Sequence, residues 1–188
     1  MDTSTRSLRT APLLLLLVGC AALTTPQGER YAPGAGQVRW ATAARDFVAG
    51  SPASTRAFVA DDLLGAPDYR REPDTGYAAL GHGGSVVLDF GDHPLIDGPG
   101  MDLVVIEIGP VSSVEPVTVE VSSDGARWQM VGSTAGQRST LDLASTAKAG
   151  DRFRFVRVRD AEAGLSKDTA WPGADLDAVG ALHWSDAR

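Results

Sequence analysis

The sequence predicts an all-β protein built as an antiparallel β-sandwich, and three observations carry that reading. Short segments of alternating apolar and polar residues recur from Trp40 onward, as strands with one face in a core require. Gly, Pro and Asp punctuate them as turn signals. No long helical period of apolar residues follows Trp40. Short strands without crossover helices pair antiparallel and bury their apolar faces between two packed sheets.

The chain opens on a leader. Arg6 and Arg9 supply a positive n-region, and Pro12 to Val18 an apolar stretch in which Leu13 to Leu17 are all leucine. Crossing a hydrocarbon core takes roughly 20 apolar residues, nearly three times this run, so no transmembrane helix is expected. Residues 1–19 read as a signal peptide. Leu17-Val18-Gly19-Cys20 reads as a bacterial lipoprotein signal, with Cys20 the lipidation site and the lipid holding the mature chain to a membrane. The alternative is plain secretory cleavage at Ala21-Ala22 with Cys20 an ordinary thiol. Cys20 is the sole cysteine, so no internal disulfide is expected even where the compartment would allow one.

Residues 20–36 lack an apolar period and are rich in Pro, Gly and Thr. They are expected to form a flexible tether, and a coil of about 16 residues spans roughly 20 to 25 Å. Residues 37–185 form the single sandwich domain, in a mature chain of about 170 residues that buries roughly two-thirds of its unfolded surface. The chain has 17 Lys and Arg against 24 Asp and Glu, a net charge of −7, and loss of Arg6, Arg9 and Asp2 makes it one unit more acidic. Such a surface repels phosphate backbones, which argues against nucleic acid as a partner and against charge-driven membrane binding.

The strands follow in order. In Ser85-Val86-Val87-Leu88-Asp89-Phe90, Val86, Leu88 and Phe90 share one face, with Gly83-Gly84 before and Gly91-Asp92 after. Leu103 to Ile108 is a nearly continuous apolar run, which suits a central strand covered on both faces. Val117, Val119 and Val121 alternate with Thr118 and Glu120, and Ser123-Asp124-Gly125 turns the chain into a return strand. On that return Trp128, Met130 and Gly132 alternate, which predicts Trp128 in the core. Phe153 and Phe155 have one parity and Val156 and Val158 the other, so the strand is either bulged near Phe155 or covered on both sides. Ala178 to Leu182 closes the domain.

Three of these segments, taken together, resemble the discoidin or coagulation-factor type C group of galactose-binding-like jelly rolls. They are Ser85 to Gly91, Val117 to Trp128 with its Val119-Glu120-Val121-Ser122-Ser123-Asp124-Gly125-Ala126-Arg127-Trp128 hairpin, and Phe153 to Val158. The resemblance runs from about Ala44 to His183. The chain is also similar to a bacterial envelope module found alone in lipoproteins and beside OmpA-like domains. The marks are Leu64-Gly65-Ala66-Pro67-Asp68, Leu80-Gly81-His82-Gly83-Gly84, Asp97-Gly98-Pro99-Gly100-Met101-Asp102-Leu103 and Trp171 to Gly180. The resemblance implies a jelly-roll β-sandwich, a structural calcium, and recognition by loop aromatics as in bacterial carbohydrate-binding relatives. Ala21, after the cysteine, resembles the sorting pattern for delivery to the outer membrane.

Acidic residues gather in the loops, and calcium takes six to eight oxygen ligands of that kind. One calcium site drawn from Asp68, Asp97, Asp102, Asp175 and Asp177 is the expectation; the alternative is that these residues close turns through Asx bonds. Tyr69 and Tyr77 flank a loop, Arg70 to Gly76, long enough to shape a binding face. Trp171, beside Pro172, either stacks on a sugar or packs on the Gly173 turn. No Gly-x-Ser-x-Gly frame is present, and His82, His93 and His183 match no metal spacing, so no catalytic set is expected.

The functional expectation is a non-catalytic, lipid-anchored envelope protein whose sandwich binds a carbohydrate or a protein. Its loops 68–77, 97–102 and 161–177 would contribute the site. A structural subunit packed against another envelope protein is the alternative, and a hydrolase the third.

Overall fold

Val86 and Leu88 point into the same interior as Val119, Val121, Val156 and Val158, and this shared apolar face assembles the first sheet. The computed structural model describes residues 23–24, 30–31, 38–109, 115–161 and 172–186. Residues 1–19, Cys20 and Trp171 lie outside the described residues. The strands in chain order are β1 (Leu23–Thr24), β2 (Arg30–Tyr31), β3 (Arg39–Trp40), β4 (Ala43–Val48), β5 (Ala78–Ala79) and β6 (Ser85–Asp89). Then come β7 (Leu103–Glu107), β8 (Val117–Ser122), β9 (Gln129–Thr134), β10 (Arg138–Leu141), β11 (Phe155–Asp160) and β12 (Asp175–Ala181). A single 3-10 turn, Ala60–Leu63, is the helical element among the described residues. None of these is a helix long and apolar enough to cross a membrane.

One sheet has the order β4-β6-β11-β8-β9, the other β10-β7-β12-β3 with β5 also on β12, and every pairing is antiparallel. From β6 to β7, β7 to β8, β9 to β10, β10 to β11 and β11 to β12 the chain passes from one sheet to the other. That repeated crossing is the jelly-roll arrangement, and the fold is the all-β antiparallel sandwich expected. Between the sheets lie Leu88, Phe90, Leu95, Leu103, Val105, Phe153 and Leu176, all buried. The continuous apolar run of β7 has its reason too: Val104 and Ile106 face the other way, onto Val38, Ala178, Leu182 and Trp40.

Three details sharpen or correct the sequence reading. In the segment expected as tether, β1 pairs with β2, Leu23 opposite Tyr31 and Thr24 opposite Arg30. Trp128 is not a core residue. The β8–β9 register shifts between Val119 and Glu120, leaving Val131 as the extra residue and setting Met130 opposite Glu120 on the outer face. Met130 is 56% exposed. Trp128 lies under the Arg157 guanidinium, 4.3 Å from its ring centre, and Arg157 in turn binds Glu120 at 2.7 Å.

The parity puzzle around Phe155 resolves toward cover on both sides. Neither β11 pairing carries a register shift. Val156 and Val158 enter the core, while Phe155 faces outward under the guanidinium of Arg45 at 4.1 Å. Phe153 precedes the strand and reaches the core separately, bridging Leu95.

Candidate functional site

The loop between the Ala60–Leu63 turn and β5 is organised around Asp74. A left-handed backbone at Asp74, φ 62°, lets Arg70 and Thr75 exchange both backbone hydrogen bonds in a tight hairpin, at 2.9 and 3.0 Å. Its carboxylate then accepts the hydroxyls of Tyr77 at 3.0 Å and Tyr69 at 3.4 Å. The two rings meet edge to face with centroids 5.5 Å apart. The Arg56 guanidinium closes the group, donating to the carbonyls of Tyr77 and Asp74 and to the Asp62 carboxylate at 2.9 to 3.1 Å, and lying over the Tyr77 ring.

The two tyrosines are therefore brought together, in different roles. Tyr77 is 3% exposed and supports the loop; Tyr69 is half-buried and presents part of its ring at the surface. Burial, then the bond to Asp74, holds the Tyr77 phenol well above its usual range. Burial and the Asp74 charge raise Tyr69 as well. Both stay neutral donors at physiological pH.

Beside this loop lies an acidic end of the sandwich. Asp177 is the bulged residue of β12, between Leu176 and Ala178, and its carboxylate accepts the backbone N–H of Asp68 at 3.0 Å and of Tyr69 at 3.4 Å. Asp177 thus meets Asp68 through the main chain, while the Asp68 side chain is exposed. Burial raises Asp177 to about 6 against the pull of those two N–H groups. Burial, then the charges of Glu115 and Asp74, raises Asp175 to about 7. Burial raises Glu107 to about 8 and Glu115 to about 7, the latter helped by Asp160.

Asp97 and Asp102 belong elsewhere. Asp102 is fully buried and engaged: Oδ1 accepts Gly98 N–H at 2.9 Å and lies 2.7 Å from His183 Nδ1, and Oδ2 accepts Leu143 N–H at 2.7 Å. Carboxylate oxygens of Asp97, Asp102 and Asp142 lie within 4.8 Å of one another. Leu103 pairs with Ala181, whereas Glu107 pairs with Leu176, so Asp102 and Asp175 stand at opposite ends of the β7–β12 ladder. Six residue steps along β7, from Asp102 to Ile108 beside Asp175, separate them by roughly 20 Å. The five acids expected to share one ion fall into two groups.

Asp160 is a residue that sequence reasoning does not single out. Buried at the end of β11, it accepts Gly83 N–H at 2.8 Å and Ala174 N–H at 3.0 Å, tying the Leu80 to Gly84 turn to the segment entering β12. The glycines there meet backbone to backbone. A Cβ on Gly84 would collide with the Leu80 carbonyl, and one on Gly173 with Gly81. Gly98 likewise lies flat against the His183 ring. The glycine-rich marks thus serve loop packing.

No family model and no curated protein matches the chain in sequence. Solved structures are similar to it at low identity. The C-terminal domain of a chitobiase from Bacteroides fragilis is 12% identical, with a TM-score of 0.40 over 63% of this chain and 72% of that one. The CBM32 of AlyQ, in complex with 4,5-unsaturated mannuronic acid, is 18% identical, with a TM-score of 0.37 over 56% and 74%. The module CpGH89CBM32-4, produced by Clostridium perfringens, is 10% identical, with a TM-score of 0.42 over 79% and 96%.

Proposed function

We propose that this chain is a lipid-anchored, non-catalytic protein of the bacterial cell envelope, held at the outer membrane through Cys20, whose sandwich binds carbohydrate at the loop 68–77 end. The observation that supports this is the half-buried Tyr69 ring, fixed by Asp74 in a network that Arg56 and Tyr77 complete. A sugar offers an apolar face and a rim of hydroxyls, and a fixed aromatic among polar groups answers both without ordering cost at binding. A protein partner is the second reading. It is favoured by the exposed Met130 and half-buried Trp128 at β9, a strand at the edge of its sheet.

A glycan array probed with residues 37–188 tests the first reading. The expected result is saturable binding to a defined glycan, weakened at least about tenfold, or about 1.4 kcal/mol, by Tyr69→Ala. A blank array with well-folded protein would overturn it and leave the β9 edge as the surface to pursue.

A further inference from the structure

Leu176 and Ala178 lie two positions apart on β12 yet face opposite ways, Leu176 into the core between the sheets and Ala178 onto Val104 and Ile106. A regular strand would put both on one face. The change comes from Asp177, the extra residue where the pairing with β7 shifts, and a bulge of this kind re-aims a side chain. Here the re-aimed group is a carboxylate. It reaches the main chain where loop 68–77 begins: Oδ1 accepts Asp68 N–H at 3.0 Å and Oδ2 accepts Tyr69 N–H at 3.4 Å.

That point is the neck of the loop. Asp68 and Gly76 close it so tightly that a Cβ on Gly76 would come within 2.6 Å of Asp68 Oδ1 and 3.0 Å of the Asp68 carbonyl. Above the neck Arg70 and Thr75 pair, and the Tyr69 hydroxyl donates to Asp74 of the same loop at 3.4 Å. The bond to Asp177 is the one that runs from Tyr69 to the sheet. Asp177 is 2% exposed, and no ion pair among the described residues includes it. A carboxylate buried without a cation costs stability that an apolar side chain in its place would not. What it supplies in return is a fixed place for two backbone N–H groups, which an apolar side chain cannot hold.

We propose that Asp177 is the positioning residue of the Tyr69 site: the β12 bulge delivers its carboxylate to the neck of the loop, and that grip sets where the Tyr69 ring stands for a ligand. The use of Tyr69 rests on the carbohydrate reading; the grip of Asp177 on the loop does not. Binding at loop 68–77 is thereby coupled to the β7–β12 ladder. Asp177, expected from sequence as an ion ligand, acts through the main chain instead.

Two variants test this in the detergent-solubilised mature protein. Asp177→Asn keeps the shape and one acceptor oxygen but turns an amide donor toward a backbone N–H, and Asp177→Ala removes both acceptors without adding a donor. Each is made alone and together with Tyr69→Ala, then followed by backbone amide exchange and by binding to a glycan array over a series of protein concentrations. Exchange at Asp68 and Tyr69 should speed up roughly tenfold or more, as loss of a charged acceptor predicts, while the amides of β11 in the facing sheet keep their wild-type rates. Glycan binding should weaken about tenfold when Tyr69 is present and by less than about twofold when it is already Ala, because a residue that acts through Tyr69 then has nothing left to position. A merely structural role would lower binding equally in both backgrounds, and that result would overturn the proposal. So would unchanged exchange at Asp68 and Tyr69 in both variants. A blank array for wild-type protein, with faster exchange at those two amides in the variants, would instead fault the carbohydrate reading and support the hold of Asp177 on the loop.

Discussion

Asp89 shows how one side chain ties stability to pH. It accepts two bonds from Arg154, at 2.7 and 2.8 Å, and one from Gly91 N–H at 2.7 Å. Burial alone would raise its pKa; those bonds, with the charges of Arg154 and Arg45, outweigh it and hold the carboxyl below its usual range. A group whose folded pKa is depressed contributes stability that is present above the unfolded value, about 4, and lost as pH falls through the folded one. Arg154 is half exposed, so solvent screens the pair and keeps its contribution small. Arg154→Gln should therefore lower the urea midpoint at pH 7 and leave it almost unchanged at about pH 2, where Asp89 is protonated in both states. An equal cost at both pH values would show that the pair does not carry it. Asp102 and Asp160 teach the complementary lesson. Both are acids in turn-rich sequence, and composition makes them equally fit for an ion or for backbone N–H groups. Only the packed loops show that each binds N–H groups.

At the scale of elements, alternation located the strands because it is a local property. Val117, Val119 and Val121 lie in the core with Thr118 and Glu120 outward, as read. Which face of β9 turns inward is not local: it depends on the extra residue Val131, and a one-residue bulge exchanges the faces. Trp128 and Met130 were legible as a pair and misplaced for that reason. Phe155 stands outward because Arg45 and Arg154 cover it, a partner choice that periodicity cannot express. That Tyr69 and Tyr77 flank one loop was legible; that their rings meet edge to face over Asp74 was not, because it depends on the left-handed turn at Asp74. The burial of Glu107 was not legible either, since a lone acid one residue before the end of an apolar run reads as a break that faces solvent. The glycine junction gives a test at this scale. Gly84→Ala places a methyl against the Leu80 carbonyl, which cannot yield without moving the turn held by Asp160. The expected loss is about 3 kcal/mol, the upper end for overpacking. A melt within about 0.5 kcal/mol of wild type, the range of an ordinary surface change, would mean that the turn adjusts freely.

For the whole molecule the question is whether anchor and domain act separately. The described core begins at Val38 and is closed by pairing of β3 with β12, Gly180 opposite Trp40 and Ala181 opposite Arg39. Nothing in that closure requires a lipid eighteen positions upstream. The single cysteine also means that no disulfide links the anchor region to the sandwich. Cys20→Ser should therefore move the protein from the membrane fraction to the soluble fraction and leave its melting temperature within about 1 °C, a shift corresponding to well under 1 kcal/mol for a domain of this size. Any glycan affinity should be the same in both forms, whereas binding to a surface-displayed ligand should fall, because on the proposed reading the lipid at Cys20 confines the site near its target and release removes that confinement. Fractionation with the membrane despite the substitution would remove Cys20 from the account of anchoring. A released form that fails to fold would show that the anchor contributes to the domain itself.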